Sequence, residues 1–535
     1  MISNEIVAAL LQNDEFIKSL GGKLGTISKA DTISQATGLL WYDLRPVVQL
    51  LYPFKELIPE ISRLPRVAAD CGNAFHWKQI TAINTNQIAL GVSEGNRGGR
   101  ISLTEQDQTA TYKTLGLESS VTFEARLGAE NLSPDALGNA VQSTLRSVMI
   151  GEEQALLLGN ASTALGTTPT PTLTAGSNAS GTWAATSTAY VMCVALSGYG
   201  WLNTTAWNNG TSTGGIPGQI SKSNADGSVD TFGGGSAHPS AEASVGVTTG
   251  QAVTATVTPV PGAVAYAWFA ASSTGAETYV GTTTSNQAVI TGPGSGTAQP
   301  VANLKVSGAY ADNSVNALLP DGVISQIFGR VFGAAPGLAM ATNPNLPSGV
   351  TVSTGGSLVY TAAAGNAGLT ISGTNIAEFD AILRAAYDQY KLGYDRILIS
   401  AADLGNFMGT MLTNGAGAAF RIFFDADAET GRIVAGRRVT SYLNKWFGNT
   451  LDIEVHPFLT PGTILFWSDR TPYELSGVPN LLEAHVRQDY YQIQWPFQTR
   501  RYEYGVYCDE VFACYFTPAF GAITNLNAST GNASI

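Results

Sequence analysis

Charge is scarce in the middle of this 535-residue chain. Of its 28 Lys and Arg and 40 Asp and Glu, only Lys222, Asp226, Asp230, Glu242, Glu277, Lys305 and Asp312 fall within 161–320. That stretch is built instead from Gly, Ala, Ser, Thr, Val and Asn, with short alternating apolar runs, and reads as a β-rich module. The sequence on either side has ordinary charge and clear helical periodicity. The block is therefore read as an insertion into an exposed surface loop of a mixed α/β host, and the function is sought in the host.

Cysteine is rare as well. Cys71, Cys193, Cys508 and Cys514 form no CxxC pair. Cys508 and Cys514 sit in one strand-like run, roughly 20 Å apart if extended, too far to bridge. This is the thiol usage of a reducing compartment. No run of about 18 apolar residues exists to span a membrane. The first apolar run carries Glu5, Asp14 and Glu15, which is wrong for a secretory signal, so sequons such as Asn203-Thr-Thr carry no glycosylation meaning. The four histidines, His76, His238, His456 and His485, share no metal or triad spacing and read as surface or interface residues. There is no Gly-Lys-Ser/Thr phosphate loop. A net charge of −12 argues against nucleic-acid binding by charge neutralisation over the whole surface.

What is present is an ordered series of elements. Residues 4–20 form an amphipathic pattern with Ile6, Leu10, Ile17 and Leu20 on one stripe, stopped by Gly21-Gly22. From there to Asp70, Pro46, Pro53, Pro59 and Pro65 separate short apolar clusters. This arm cannot bury Trp41, Leu51, Tyr52 and Phe54 by itself. Phe75 to about Gly91 reads as a strand and Ile101 to Ala125 as its return, joined by the glycine-rich tip Ser93 to Arg100. Seventeen extended residues would reach roughly 55 Å. A two-stranded ribbon so poor in apolar side chains is marginal alone and must lie on something else. Ser133-Pro-Asp then caps a long helix, 134–158, with Leu137, Val141, Leu145, Val148 and Leu156 at helical spacing and Gly159-Asn160 at its end.

Within the insertion, Val253–Val260, Ala263–Ala271, Thr278–Thr283 and Gln287–Thr291 are strand-like, joined by Ala189–Leu196. Val264, Tyr266 and Trp268 alternate with alanines, giving one aromatic and one small-residue face, the pattern of a sandwich. The host resumes near Asn316. Asn375 with Glu378 resembles a capping box opening a helix that Gly393 ends. Arg396–Ser400 is a short buried strand followed by a helix at 402–412, an α/β unit. Leu451–Val455 and Thr463–Trp467 are further strands. The even positions from 502 to 516 are apolar except Glu510, a natural seat for the long helix.

Arm, ribbon, long helix, insertion, α/β domain and closing β tail, in that order, resemble the major capsid protein family of tailed bacteriophages. The resemblance is carried by Ser133-Pro-Asp through Gly151-Glu-Glu-Gln-Ala-Leu-Leu-Leu-Gly159, by Arg396-Ile-Leu-Ile-Ser-Ala-Ala-Asp-Leu404, and by the strands Tyr490–Pro496 and Arg501–Tyr507. It covers about 1–160 and 316–527. The insertion, around Pro259–Trp268, resembles immunoglobulin-like or fibronectin type III-like modules.

The implied fold is α+β. It comprises an N-terminal arm (1–70), an extended β-ribbon loop (71–125), a peripheral domain with a spine helix (126–160 and 460–535), an immunoglobulin-like β insertion (161–315) and an axial α/β domain (316–459). The implied function is a non-enzymatic shell subunit, assembling as hexamers and pentamers around phage double-stranded DNA. It would be located in the virion and put together in the host bacterial cytoplasm. The implied partners are further copies of the chain, a separate scaffold protein, a portal and a maturation protease, with weak non-specific DNA contact and no membrane or cofactor. The arm helix begins at residue 4, so no long cleaved scaffolding segment is expected. A shell around protein cargo, as in encapsulins, and an adhesin or glycan-binding protein are the alternative readings.

The contact candidates follow. Glu94, Arg97 and Arg100 at the ribbon tip are read as ion-pairing with a neighbouring copy, against a phosphate grip or a merely solvated turn. Trp41 and Phe54 are the arm's anchors. Arg432, Arg437 and Arg438 face a subunit, DNA or solvent. Asp425-Ala-Asp-Ala-Glu429 is faintly similar to a calcium loop, but Gly431 and Gly436 stand in the wrong places, so an exposed acidic loop is expected. Glu152 and Glu153, adjacent on the helix, are expected on its surface, solvated or pairing between subunits.

Overall fold

The computed structural model describes residues 54–69, 72–83, 91–98, 100, 103–129, 136–204, 215–329, 346–364, 368–372, 375–413, 425–426, 433–434, 440–469, 480–497 and 499–527. Its contacts divide the chain into two units, Met1–Leu51 with Glu124–Ala136, and Tyr52–Phe123 with Leu137–Ile535. In the first, the described part is essentially one exposed helix, α1 (Phe123–Ala129). All that follows concerns the second.

Two sheets organise the host. The first has four strands: β1 (Arg66–Ala68), then β11 (Leu482–Gln494), β12 (Arg501–Cys514) and β4 (Lys113–Thr122), with β1 parallel to β11 and the others antiparallel. The helix α2 (Ala136–Leu158) shares a core with one face of it. Apolar residues crowd the last turns of α2 on all sides, so that end is buried all round: Ala155, Leu156 and Leu157 are fully enclosed among Cys508, Phe512 and Cys514. The expected apolar face of the tail is thus the helix's seat. Gly159 must follow, because a Cβ there would meet Pro320 O at 2.3 Å and Ala155 O at 2.5 Å.

The second sheet has seven strands, ordered β5 (Val350–Val352), β6 (Leu358–Thr361), β13 (Phe520–Thr524), β10 (Ile464–Trp467), β7 (Arg396–Ile399), β9 (Thr450–Val455) and β8 (Ser441–Leu443). Its core packs Ile397, Ile399, Phe466 and Ile523 against Phe379, Ile382, Leu383 and Ala386 of α3 (Ala377–Tyr390) and Phe407 of α4 (Ala401–Thr413). The boundary drawn at 459/460 falls inside this sheet. β10 and β13 are short, fully buried strands whose partners lie in the α/β layer, whereas β11 and β12 belong to the other sheet. The helix α3 is capped at Ile376, which makes no side-chain cap hydrogen bond. Glu378 instead accepts from Thr370 N at 2.9 Å, Asn375 donates to Asp380 at 3.0 Å, and α3 ends two residues before Gly393, at Lys391 with φ +55°.

The described part of the ribbon is a two-stranded antiparallel ladder. β2 (Ala74–Ile83) pairs with β3 (Leu103–Thr111), about 33 Å of ladder. At Tyr112 the return strand leaves the ribbon and β4 joins the four-stranded sheet. There the Tyr507 ring lies over Gly116, where a Cβ would meet it at 2.1 Å, so that glycine is required.

The insertion contains two sheets facing across one core. Gln287–Ile290, Gln251–Thr256 and Thr172–Ser177 form one, and Thr278–Thr283, Ala265–Ala271, Ser187–Leu196 and Ala243–Val247 the other. Trp268 is enclosed between them, its indole N–H donating to Thr283 Oγ1 at 2.8 Å. The small-residue face is not outside. Ala265, Ala267 and Phe269 are covered by Ile216, Val301 and Leu304, which makes Ala265–Ala271 buried on both faces. Both ends of the insertion meet at the host, Gly322 N donating to Gly159 O at 2.9 Å and Asn316 N to Asn160 O at 2.8 Å.

Candidate assembly surfaces and the charged spine

Among the described residues, the ribbon touches its own body near its base. Phe75 stacks on His485 with ring centroids 3.8 Å apart, Trp77 meets Tyr515 edge-on at 5.6 Å, and Ala110 packs on Val511. Farther out, Lys78, Glu105, Asp107 and the whole turn from Gly91 to Gly98 are exposed, and Ile80 is 58% exposed. The tip makes its own turn, with Asn96 N donating to Ser93 O and Gly95 at φ +83°. Glu94, Arg97 and Arg100 project into solvent there, and none of the three has an ion pair among the described residues.

Other surfaces of the same kind lie at element ends. Leu443, Trp446 and Phe447 are 63%, 40% and 51% exposed at the outer strand β8 and the turn after it. Lys445 Nζ lies 5.0 Å from the Trp446 ring centre. Trp495 and Phe497 are exposed beyond the end of β11. Among the described residues, β4, β5 and β8 are outermost strands of their sheets. Exposed aromatics beside outermost strands are the usual mark of association.

The remaining candidates divide. Phe54 is half-buried, with the Arg146 guanidinium of α2 5.7 Å from its ring centre, so it packs on its own helix. Trp41, Arg432, Arg437 and Arg438 lie outside the described residues, as does most of the acidic loop. Asp425–Ala426 of that loop pairs with Ile433–Val434. Cys193, Cys508 and Cys514 are buried thiols.

The sequence reading missed the charged groups that hold the host together. Glu152 and Glu153 are not on the helix surface; both are 0% exposed. Being adjacent, they point apart, and each finds a different layer. Glu152 accepts from the Arg66 guanidinium and from the Tyr490 hydroxyl. Glu153 accepts from the backbone N–H groups of Glu60 (3.1 Å) and Ile61 (2.7 Å) and bonds His456 Nε2 at 2.7 Å. Since Phe458 N donates to His456 Nδ1 at 3.2 Å, the imidazole proton sits on Nε2 and is given to Glu153. His456 and His485 are accordingly buried structural residues; burial lowers the pKa of His485, which bonds Tyr515 at 2.8 Å.

The network continues outward. Glu60 pairs with Arg396 at 3.0 Å, and Arg396 reaches Asp469 at 3.3 Å while stacking 5.1 Å over Trp467. Arg63 bridges Glu60 and Glu454. Burial raises the Glu60 carboxyl, and the Arg396 and Arg63 charges pull it back down. A cavity of about 320 Å³ opens beside this ladder, lined by Glu60, Arg63, Arg396, Glu454, Trp467 and Asp469 among others. One signal for the buried pair was available. A helix end that is apolar all round is enclosed, so the acids within it must be enclosed too.

No family model matches the chain, and no curated protein does. Solved structures do align with it. The capsid of a native GTA particle shares 7% identity over 93% of this chain and 99% of its own, with a TM-score of 0.40. The capsid of Myoviridae phage XM1 shares 8% over 92% and 99%, TM-score 0.39. The capsid asymmetric unit of cyanophage A-1(L) shares 10% over 92% and 98%, TM-score 0.41.

Proposed function

We propose that this chain is a major capsid protein, a structural subunit that associates with copies of itself, as hexamers and pentamers, into the icosahedral shell of a tailed-phage virion around double-stranded DNA. The observation that carries the reading is the ribbon. Its base is anchored by Phe75, Trp77 and Ala110, yet beyond Lys78 and Asp107 its described side chains have almost nothing of their own chain to lie on. An isolated two-stranded ribbon of that length is marginal in water, and neighbouring copies would supply the missing surface. Outermost strands among the described residues, and exposed Trp446, Phe447, Trp495 and Phe497, fit the same role.

In this reading Glu94, Arg97 and Arg100 contact an adjacent copy, with Trp41 in the arm and Arg432, Arg437 and Arg438 in the α/β region contributing further contacts. The module at 161–315 is an outward decoration of immunoglobulin-like type. The role is structural rather than catalytic: the pair closest to a catalytic dyad, His456 with Glu153, is sealed from solvent and bonded to backbone N–H groups. A scaffold, a portal, a protease and packaged DNA are the expected partners.

Electron microscopy of the full chain expressed with its neighbouring phage genes tests this. The expected result is closed particles containing DNA. Particles filled with protein instead favour an encapsulin-like cargo shell, and a monodisperse monomer at every concentration overturns both.

A further inference from the structure

Glu152 of α2 and Glu510 of β12 meet in the buried layer between the helix and the four-stranded sheet, and both are 0% exposed. Among the described residues Arg66 is the cation bonded to both; Lys113, opposite Glu510 on β4, forms no ion pair with it. Arg66 of β1 gives Nη1 to Glu152, and its Nη2 lies 3.4 Å from Glu510 Oε2 and 2.9 Å from the exposed Asp489 carboxylate of β11. Tyr490 of β11 donates its hydroxyl to Glu152 Oε2, and Cys508 of β12 places Sγ 3.8 Å from Glu510 Oε2. Glu510 Oε1 is fully buried and receives no donor among the described residues. Two enclosed carboxylates facing one guanidinium, itself shared with a third, leave one negative charge uncompensated. A buried carboxylate in that position takes a proton rather than remain charged.

We propose that Glu152 and Glu510 hold one proton between them at neutral pH, carried on Glu510 Oε1, and that this proton keeps α2 seated on the sheet, forming a latch that loosens as the pH is raised. Both oxygens of Glu152 already accept from charged or hydroxyl donors, which leaves Glu510 to carry the proton. Once protonated, the Glu510 carboxyl can donate to the neighbouring Glu152 carboxylate, with which it interacts directly. Burial and the Glu152 carboxylate push the Glu510 carboxyl well above the ordinary range, with Arg66 opposing. The Tyr490 hydroxyl is pushed up as well, chiefly by burial, and so stays a donor.

The sign follows. The folded chain retains a proton that the unfolded chain has lost, so stability is complete below the unfolded carboxyl value and falls as the pH climbs through the folded one. One proton corresponds to a tenfold fall in the folding constant per pH unit across that interval.

The test is thermal unfolding of the full chain from about pH 6 to about pH 10, with the wild type beside Glu510→Gln, which copies the protonated form. The expected wild-type midpoint falls on the alkaline side, while that of Glu510→Gln falls by one proton less. Equal slopes overturn the proposal. Infrared spectroscopy gives a second reading on the wild type alone. A protonated carboxyl band must persist at about pH 8.5, where ordinary carboxyls are ionised. Its absence overturns the latch whether or not the variant folds.

Discussion

His456 Nε2 lies 2.7 Å from Glu153 Oε1, joining the loop after β9 to the last turns of the long helix, 303 residues away in sequence. The same carboxylate accepts the Glu60 and Ile61 N–H groups. One side chain therefore ties the helix to the segment entering β1 and to the seven-stranded sheet. Glu153→Ala leaves two amides and an imidazole N–H buried without acceptors and is expected to cost about 3–5 kcal/mol, read by chemical denaturation. Glu153→Gln, which keeps one acceptor oxygen, loses less.

The insertion carries its own acid pair. Burial first, and a hydrogen bond with Glu242 second, push Glu277 up to about 7, while Glu242 is lowered by the same bond. A raised folded value means that the stabilisation is complete below about 4.5 and is lost as the pH rises through about 7. Thermal melts of the wild type between those limits are expected to slope downward. Glu277→Gln is expected to flatten that slope.

Removing the insertion should leave a host that folds and assembles, because Gly159 and Gly322 already meet across a 2.9 Å hydrogen bond. It will not be free of consequence. Asn286 and Asn525 exchange hydrogen bonds of 2.5 and 2.9 Å between insertion and host, and Val264 packs in the host's core. A chain with 161–321 replaced by a short Gly/Ser linker is expected to melt several degrees lower yet form particles. Particles of normal yield with no loss of melting temperature would show that these contacts contribute nothing.

Charge reversal at the ribbon tip separates assembly from folding. Arg97→Glu with Arg100→Glu touches exposed side chains without ion pairs among the described residues. Monomer stability should change by less than about 0.5 kcal/mol, while particle yield falls sharply. Equal effects on both would assign the tip a role inside its own subunit.

Much of this architecture was legible because periodicity reports burial. The spacing of Leu145, Val148 and Leu156 marked α2, and the alternation from Tyr504 to Cys514 marked its seat. Tyr266 and Trp268 marked the insertion's core. What stayed hidden depends on contacts between distant segments. Ala265 and Ala267 read as an outer face until residues 216 and 301–304 are seen to cover them. The return strand's change of partner at Tyr112 has no local signal, since a strand reads alike in a ribbon or a sheet. Glu152 and Glu153 look like solvated helix residues because their partners, Arg66, Tyr490, Glu60, Ile61 and His456, come from remote parts of the chain.

The most direct test is amide hydrogen exchange along the ribbon, β2 and β3, measured in unassembled subunits and again in assembled particles. The account predicts fast exchange in the outer half, beyond Lys78 and Asp107, in the free subunit, and strong protection there only after assembly. Identical protection in both states would mean that the ribbon needs no neighbour, and would contradict the shell reading at its root.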